Sequence, residues 1–161
     1  MEGVILRKIQ EKDDPLLARI IRNSFLDYNA TQKGTVFSDP VIEKLSASFK
    51  GERSAYFVAE RNGIVLGGAG IQPLKKADPG ICELQKMYLD KSERGKGIGR
   101  ALLEICLDFA KKQSFTSCYL ESLPELTDAL KLYEASGFSY IKSRLGDTGY
   151  YGCSLFMTKK L

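Results

Sequence analysis

Arg94-Gly95-Lys96-Gly97-Ile98-Gly99-Arg100-Ala101 is a glycine-spaced basic turn between a strand-like run, Ile81 to Leu89, and a strongly amphipathic segment. At such a junction the first amides of the helix have no intrahelical partner, and the helix dipole adds partial positive charge. Glycine removes the Cβ and permits positive φ, so successive N–H groups can converge on one anion. The stretch therefore reads as a phosphate cradle. A dinucleotide fingerprint requires G-x-G-x-x-G. Here the glycines fall at 95, 97 and 99, with Arg100 or Leu102 where the third small residue belongs. The G-x-x-x-x-G-K-[ST] loop of nucleotide hydrolases is absent as well. The plainer alternative is a glycine-rich connection with solvated lysines.

Outward from the turn, Ile98, Ala101, Leu102, Ile105 and Phe109 recur at helical spacing, which predicts a long helix from Gly97 to about Gln113. Upstream, Val4 to Gln10 reads as a strand, and Asp13-Asp14-Pro15 opens a helix to about Tyr28 with Leu17, Ile20, Ile21, Ser24 and Phe25 inward. Pro40 opens a second helix carrying Val41, Ile42, Leu45 and Phe49 and ended by Gly51. Two strand runs flank Asn62-Gly63, a dipeptide suited to a tight hairpin. The run Gly67-Gly68-Ala69-Gly70 weakens its strand unless another chain segment or a ligand comes close. Downstream, Ser117 to Glu121 is a strand. Ser122-Leu123-Pro124-Glu125 has capping-box spacing and opens a helix through Tyr133, stopped by Gly137. Phe138 to Lys142 and Tyr151 to Met157 finish as strands.

The 161 residues suit one domain, 1–161, with an ordinary 43% hydrophobic and 27% charged composition, and no apolar run reaches the length of a membrane span. The start of the chain does not resemble a secretory signal, so a cytoplasmic protein is expected. Cys82, Cys106, Cys118 and Cys153 form no C-x-x-C pair and sit in apolar segments, which favours buried thiols over disulfides or a metal site. The absence of histidine excludes His-dependent triads and imidazole bases. A net charge of +4 without a concentrated basic face argues against nucleic-acid binding.

Arg94-x-x-Gly97-x-Gly99, preceded by Met87-Tyr88-Leu89, resembles the acetyl-CoA loop of the GNAT superfamily of N-acetyltransferases. Ala129-x-x-Leu132-Tyr133-x-x-x-Gly137-Phe138 resembles that superfamily's other signature, in the right order, and the sequence of elements resembles its fold along nearly the whole chain. Glu83-Leu84-Gln85-Lys86-Met87-Tyr88, with Thr148-Gly149-Tyr150-Tyr151-Gly152-Cys153, is similar to a bacterial subgroup. The resemblance implies an α/β fold whose mixed, mainly antiparallel sheet is flanked by helices. It places the CoA pyrophosphate on the amides from Arg94 through Gly99, with charge from Lys96 and Arg100. The strand Met87-Tyr88-Leu89 would offer main-chain hydrogen bonds to a pantetheine arm lying in a splayed gap between the fourth and fifth strands.

Amine acetylation needs a neutral nucleophile and a proton for the departing thiolate, hence a base and an acid. Tyr133 matches the family tyrosine that acts as general acid near the thioester sulfur. It also completes a helical stripe with Leu126, Ala129 and Leu130, so core packing is its other reading. Glu83 resembles the base position of some members, and strand alternation puts it on one face with Gln85, Met87 and Leu89. Pairing with a basic residue across the sheet is its alternative, and Glu121 or a water is the other candidate base. Two departures stand out: Leu126 occupies the place of an asparagine that binds pantetheine in many relatives, and Lys91 replaces a proline often found before the loop arginine.

The resulting expectation is direct transfer of acetyl from acetyl-CoA to a primary amine of a small molecule or peptide, without metal, nucleic acid or membrane. Homodimer formation is left open. The acceptor is expected between the first two helices, the Gly67 to Gly70 strand and the loop of Tyr150 and Tyr151. The rival from another class is a non-catalytic acyl-CoA-binding or interaction module. A nucleic-acid binder would need Lys96 and Arg100 to join a wider basic face.

Overall fold

A computed structural model describes all residues, 1–161. Strand β1 (Val4–Lys8) leads through a short 3-10 turn into helix α1 (Asp14–Asp27), followed by two more 3-10 segments and the single turn α2 (Leu45–Ser48). Then come β2 (Ala55–Arg61), β3 (Ile64–Pro73), β4 (Ile81–Leu89), α3 (Ile98–Lys112), β5 (Ser117–Ser122), α4 (Thr127–Ala135), β6 (Ser139–Ile141) and β7 (Leu155–Lys160). The seven strands form one sheet in the order β1-β2-β3-β4-β5-β7-β6. Every neighbouring pair is antiparallel except β4 with β5. The β2–β3 hairpin turns on Asn62 (φ 52°) and Gly63 (φ 80°), the positive pair that a tight turn between right-twisted strands demands.

Strand alternation divides the interior into two cores. Ala55, Phe57 and Ala59 of β2 face Ile98, Leu102, Leu103 and Cys106 of α3, whereas Tyr56 and Val58 face Leu17, Ile21 and Phe25 of α1. Each such aliphatic side chain contributes about 1.5–3 kcal/mol by leaving water. All five inward residues expected on α1 are buried. Cys82, Cys106 and Cys118 are buried free thiols, Cys153 is half-buried, and no cluster of metal-ligating side chains exists. No helix is long and apolar enough to cross a membrane.

The glycines of β3 admit protein, not ligand. A Cβ at Gly67 would lie 2.2 Å from the Tyr88 carbonyl, one at Gly68 2.4 Å from the Tyr56 ring, and one at Gly70 2.4 Å from the Phe49 ring. These aromatic rings, and β4 itself, are the parts of the protein that come close to the β3 glycines.

Three element boundaries differ from expectation. The segment opened by Pro40 is 3-10 from Pro40 to Lys44, and only Leu45–Ser48 is α-helical. The cause is a competing cap: the Asp14 carboxylate takes the Ser46 amide at 2.8 Å and its hydroxyl at 2.7 Å, so the helix restarts there. Ile42, Leu45 and Phe49 still point inward, but Val41 is exposed. Ser122 caps nothing, because it is the last residue of β5, paired with Leu155, and α4 begins only at Thr127. Tyr151 to Ser154 is loop, and β7 starts at Leu155, since the Gly152 amide bonds to the Gly34 carbonyl (2.8 Å) instead of joining a ladder.

Candidate active site

The parallel ladder between β4 and β5 covers only Ile81 to Glu83 against Ser117 to Tyr119. Beyond it β4 continues along β3 to Leu89, while β5 continues along β7 to Ser122, so the two strands part. A cavity of about 720 Å³ opens in the divergence, with Met87 and Leu89 on one wall and Leu132 and Tyr133 of α4 on another. This is the gap expected between the fourth and fifth strands.

A β-bulge bends β4 at this point. Its register against β3 steps from Gly70↔Gln85 to Gly68↔Tyr88, and Lys86 adopts φ 50°. The bulge reverses the alternation. Glu83 and Gln85 line the face away from α3, but Met87 and Leu89 pack with the α3 core beside Cys82 and Leu84, while Tyr88 packs with the α1 core. The expected single face of Glu83, Gln85, Met87 and Leu89 is thus broken after Gln85.

At the mouth of the gap the glycine turn presents bare amides. Gly95 and Gly97 hold φ 74° and 84°, and the first backbone bond of the helix is Ala101 N–H to Gly97 O at 3.2 Å. The amides of Gly95, Lys96, Gly97, Ile98, Gly99 and Arg100 have no partner within the protein. Gly99 lies under Leu132, Leu89 and Met87, where a Cβ would stand 3.4 Å from the nearest carbon. Arg94 behaves differently. Its amide bonds to the Lys91 carbonyl (3.4 Å), and its guanidinium is turned inward onto Asp27 (2.9 Å), Ser24 Oγ (3.0 Å) and the Leu89 carbonyl (3.2 Å), over the Tyr28 ring. Arg94 ties the turn to α1 and β4, and the Leu89 carbonyl is already occupied. Lys96 is held by Glu93 at 3.4 Å, whereas Arg100 is exposed and lines the gap.

Tyr133 is 6% exposed and packs tilted against Phe138, with ring centres 5.9 Å apart, so its helical stripe does pack in the core. It also lines the gap, and burial holds its phenol protonated well above the ordinary range. Glu83 is 4% exposed. Burial raises its carboxyl to about 7 against the opposing pull of a 2.6 Å hydrogen bond from the Gln85 amide. No basic side chain pairs with it across the sheet. Glu121 lies on the same cavity wall; burial raises its carboxyl too, but the Tyr119 hydroxyl (2.9 Å) and the Arg144 guanidinium (3.0 Å) both engage its Oε1.

Gln85, Lys86 and Asp39 were not foreseen individually as site residues. Gln85 orients Glu83; Lys86, buried, donates to the Tyr150 hydroxyl at 2.7 Å; and Asp39 accepts from that hydroxyl at 2.7 Å. A lysine inside the apolar run Leu84 to Leu89 was the available signal. Lys131 of α4 also lines the gap and is exposed.

Comparison with known proteins agrees with this geometry. The chain is 38% identical over 161 residues to the uncharacterized N-acetyltransferase YjgM of Escherichia coli K12, spanning 99% of this chain and 96% of that one. The fold matches a GNAT-family acetyltransferase of Staphylococcus aureus Mu50 with TM-score 0.86 at 20% identity, covering 98% of both chains. It also matches YncA of Salmonella typhimurium, a structure with its cofactor acetyl-CoA, with TM-score 0.77 at 18% identity over 99% of this chain and 94% of that one. The model of the acetyltransferase (GNAT) family matches residues 20–138, most of the sheet and all four helices save the start of the first. The chain belongs to the GNAT family of acetyltransferases.

Proposed function

We propose that the protein moves the acetyl group of acetyl-CoA directly onto a primary amine, with Glu83 as base and Tyr133 as acid. The observation that carries this reading is the convergence on one cavity of a carboxyl tuned to about 7 and a phenol kept protonated, below a turn of unpartnered amides. The residues fit the cosubstrate: the amides of Gly95 through Arg100, with the exposed charges of Arg100 and Lys131, would hold the pyrophosphate, and the gap between β4 and β5 would take the pantetheine arm.

The chemistry assigned to the chain's own groups is as follows. Glu83 takes a proton from the acceptor ammonium, directly or through a water, and the freed lone pair attacks the thioester carbonyl. As the C–N bond forms and the C–S bond breaks, the Tyr133 hydroxyl protonates the leaving thiolate, and the second proton that the nitrogen sheds on becoming an amide passes, directly or through a water, back to the Tyr133 oxygen. Such acid–base assistance is worth about 10²–10⁴-fold. A covalent acyl-enzyme is disfavoured. The only thiol lining the gap, Cys153, is pushed up to about 12 by burial, and a neutral thiol is a weak nucleophile.

Thiol release across a broad amine panel, with calorimetry of CoA binding, tests the reading. Turnover is expected, and Tyr133→Phe should lower kcat by about 10²-fold while leaving the CoA Kd unchanged. Unchanged turnover in that variant removes the acid role. Tight CoA binding with no turnover on any amine favours a binding module.

A further inference from the structure

A second cavity of about 600 Å³ adjoins the gap, and Glu83, Gln85, Lys86 and Tyr150 line both. Its wall is mainly polar, and its charges fall into two sets. Asp39 is committed: one oxygen accepts from the Tyr150 hydroxyl (2.7 Å), the other from the Val41 amide (2.9 Å). Asp147 is committed as well, to Lys76 (2.8 Å) and the Gly149 amide (3.2 Å).

Of the remaining charges, Glu83 and Lys75 form no ion pair, and Lys86 reaches Asp39 only at the 4.0 Å limit of one. Glu83 accepts only from Gln85, through Oε2, which leaves Oε1 without a partner. The Lys86 ammonium donates to two neutral oxygens, of Tyr150 at 2.7 Å and Gln85 at 3.3 Å, and its closest carboxylate, Asp39, is 4.0 Å away. Lys75 lines the same cavity, exposed, in no ion pair. One uncommitted carboxylate at the thioester end and two ammonium groups further along complement a molecule with the opposite pair. A polyamine meets like charge at Lys75 and Lys86.

The shape limits length. The loop of residues 148–153 is stitched to the segment before α2 by the Gly152–Gly34 backbone bond (2.8 Å) and the Tyr150–Asp39 bond (2.7 Å). Tyr151 lies so close over Gly34 that a Cβ there would fall 2.4 Å from its ring. Joined loops close one side of the cavity to a threaded polypeptide.

We infer that the acceptor is a free amino acid, its amine delivered to Glu83 and its carboxylate held by Lys86 and Lys75; this rests on the amine-transfer reading above. The test compares each common L-amino acid with its own carboxamide. Rates are read by thiol release at saturating acetyl-CoA, and binding by calorimetry into the protein–CoA complex. The carboxamide has the less basic amine and the larger neutral fraction, so a preference for the acid cannot come from acceptor basicity. At least one acid should exceed its carboxamide by about tenfold in kcat/KM, the scale of one charged hydrogen bond, and Lys75→Glu should bring that ratio close to one. If carboxamides, polyamines or lysine peptides are acetylated as fast as the acids, the inference is overturned and amine transfer stands. If nothing is acetylated but acids bind the CoA complex more tightly than carboxamides, the acceptor class stands and transfer falls. Acids that neither bind nor react overturn it.

Discussion

Glu83 illustrates how burial makes a side chain chemically useful and costly together. Its carboxyl rises from 4.5 to about 7, so the folded state holds the proton more tightly than the unfolded chain. The stabilising contribution of that proton is complete below the unfolded value and is lost as pH rises through about 7. At about 1.4 kcal/mol for each pH unit between the two values, the full loss is slightly over about 3 kcal/mol. Urea unfolding should therefore show the Glu83→Gln variant gaining about 3 kcal/mol on the parent between about pH 4 and about pH 8. In kinetics the sign reverses, because the proposed base acts as the carboxylate: kcat/KM of the parent should climb through about pH 7, and the variant should lose that inflection and fall about 10²-fold at neutrality. Parallel stability curves, or a pH–rate profile that the substitution leaves intact, would remove Glu83 as base. The sequence suggested Glu83 through its family-like position. Its tuning by Gln85 depends on a side-chain contact that no spacing reveals.

At the scale of elements, the glycine turn was legible because φ preference and helix-end physics are local. Gly97 at φ 84° caps α3 and aims its neighbours' amides outward. Gly97→Ala imposes about 1–2 kcal/mol of backbone strain. Its effect should fall on binding: the CoA Kd rises about tenfold while kcat at saturation is kept, as calorimetry and steady-state rates would show. The amides of Gly95 through Arg100 should exchange rapidly with solvent deuterium in the free protein and slowly with acetyl-CoA bound; equal exchange would deny them the phosphate. Strand β4 was harder to read. Its extent was plain from its apolar run, but a bulge with Lys86 in a left-handed conformation flips the phase of every later residue, and nothing in Gln85-Lys86-Met87 announces it. The 3-10 segment after Pro40 and the delayed start of α4 were missed for a similar reason, since Asp14 and β7 supply the competing hydrogen bonds from elsewhere in the chain.

Across the molecule, α1 and α3 pack on opposite faces of one sheet, and the sheet parts between β4 and β5 where neither core fills the space. Side chains bridge the opening: the hydroxyl of Tyr28, just past the end of α1, donates to Asp128 of α4, and Gln32 donates to Glu125 at 3.1 Å. These links are exposed and contribute little to stability. A ligand that fills the gap acts more strongly. Acetyl-CoA at a hundred times its Kd should raise the unfolding free energy by about 2.7 kcal/mol, and Gly97→Ala should need a correspondingly higher concentration for the same rise in Tm. No rise in the parent would mean that acetyl-CoA does not bind the folded protein.

The amino-acid sequence by itself determined the order of elements, the inward face of α1, the Asn62-Gly63 hairpin and the glycine turn before α3. Each depends on periodicity or backbone preference within a few residues. The tertiary structure decided the bulge in β4, the commitment of Arg94 to Asp27, the aromatic rings over Gly68 and Gly70, and the Lys86–Tyr150–Asp39 chain beside Glu83. These join residues far apart in sequence, and their energies come from desolvation and side-chain hydrogen bonds that exist only once the two cores have closed on the sheet.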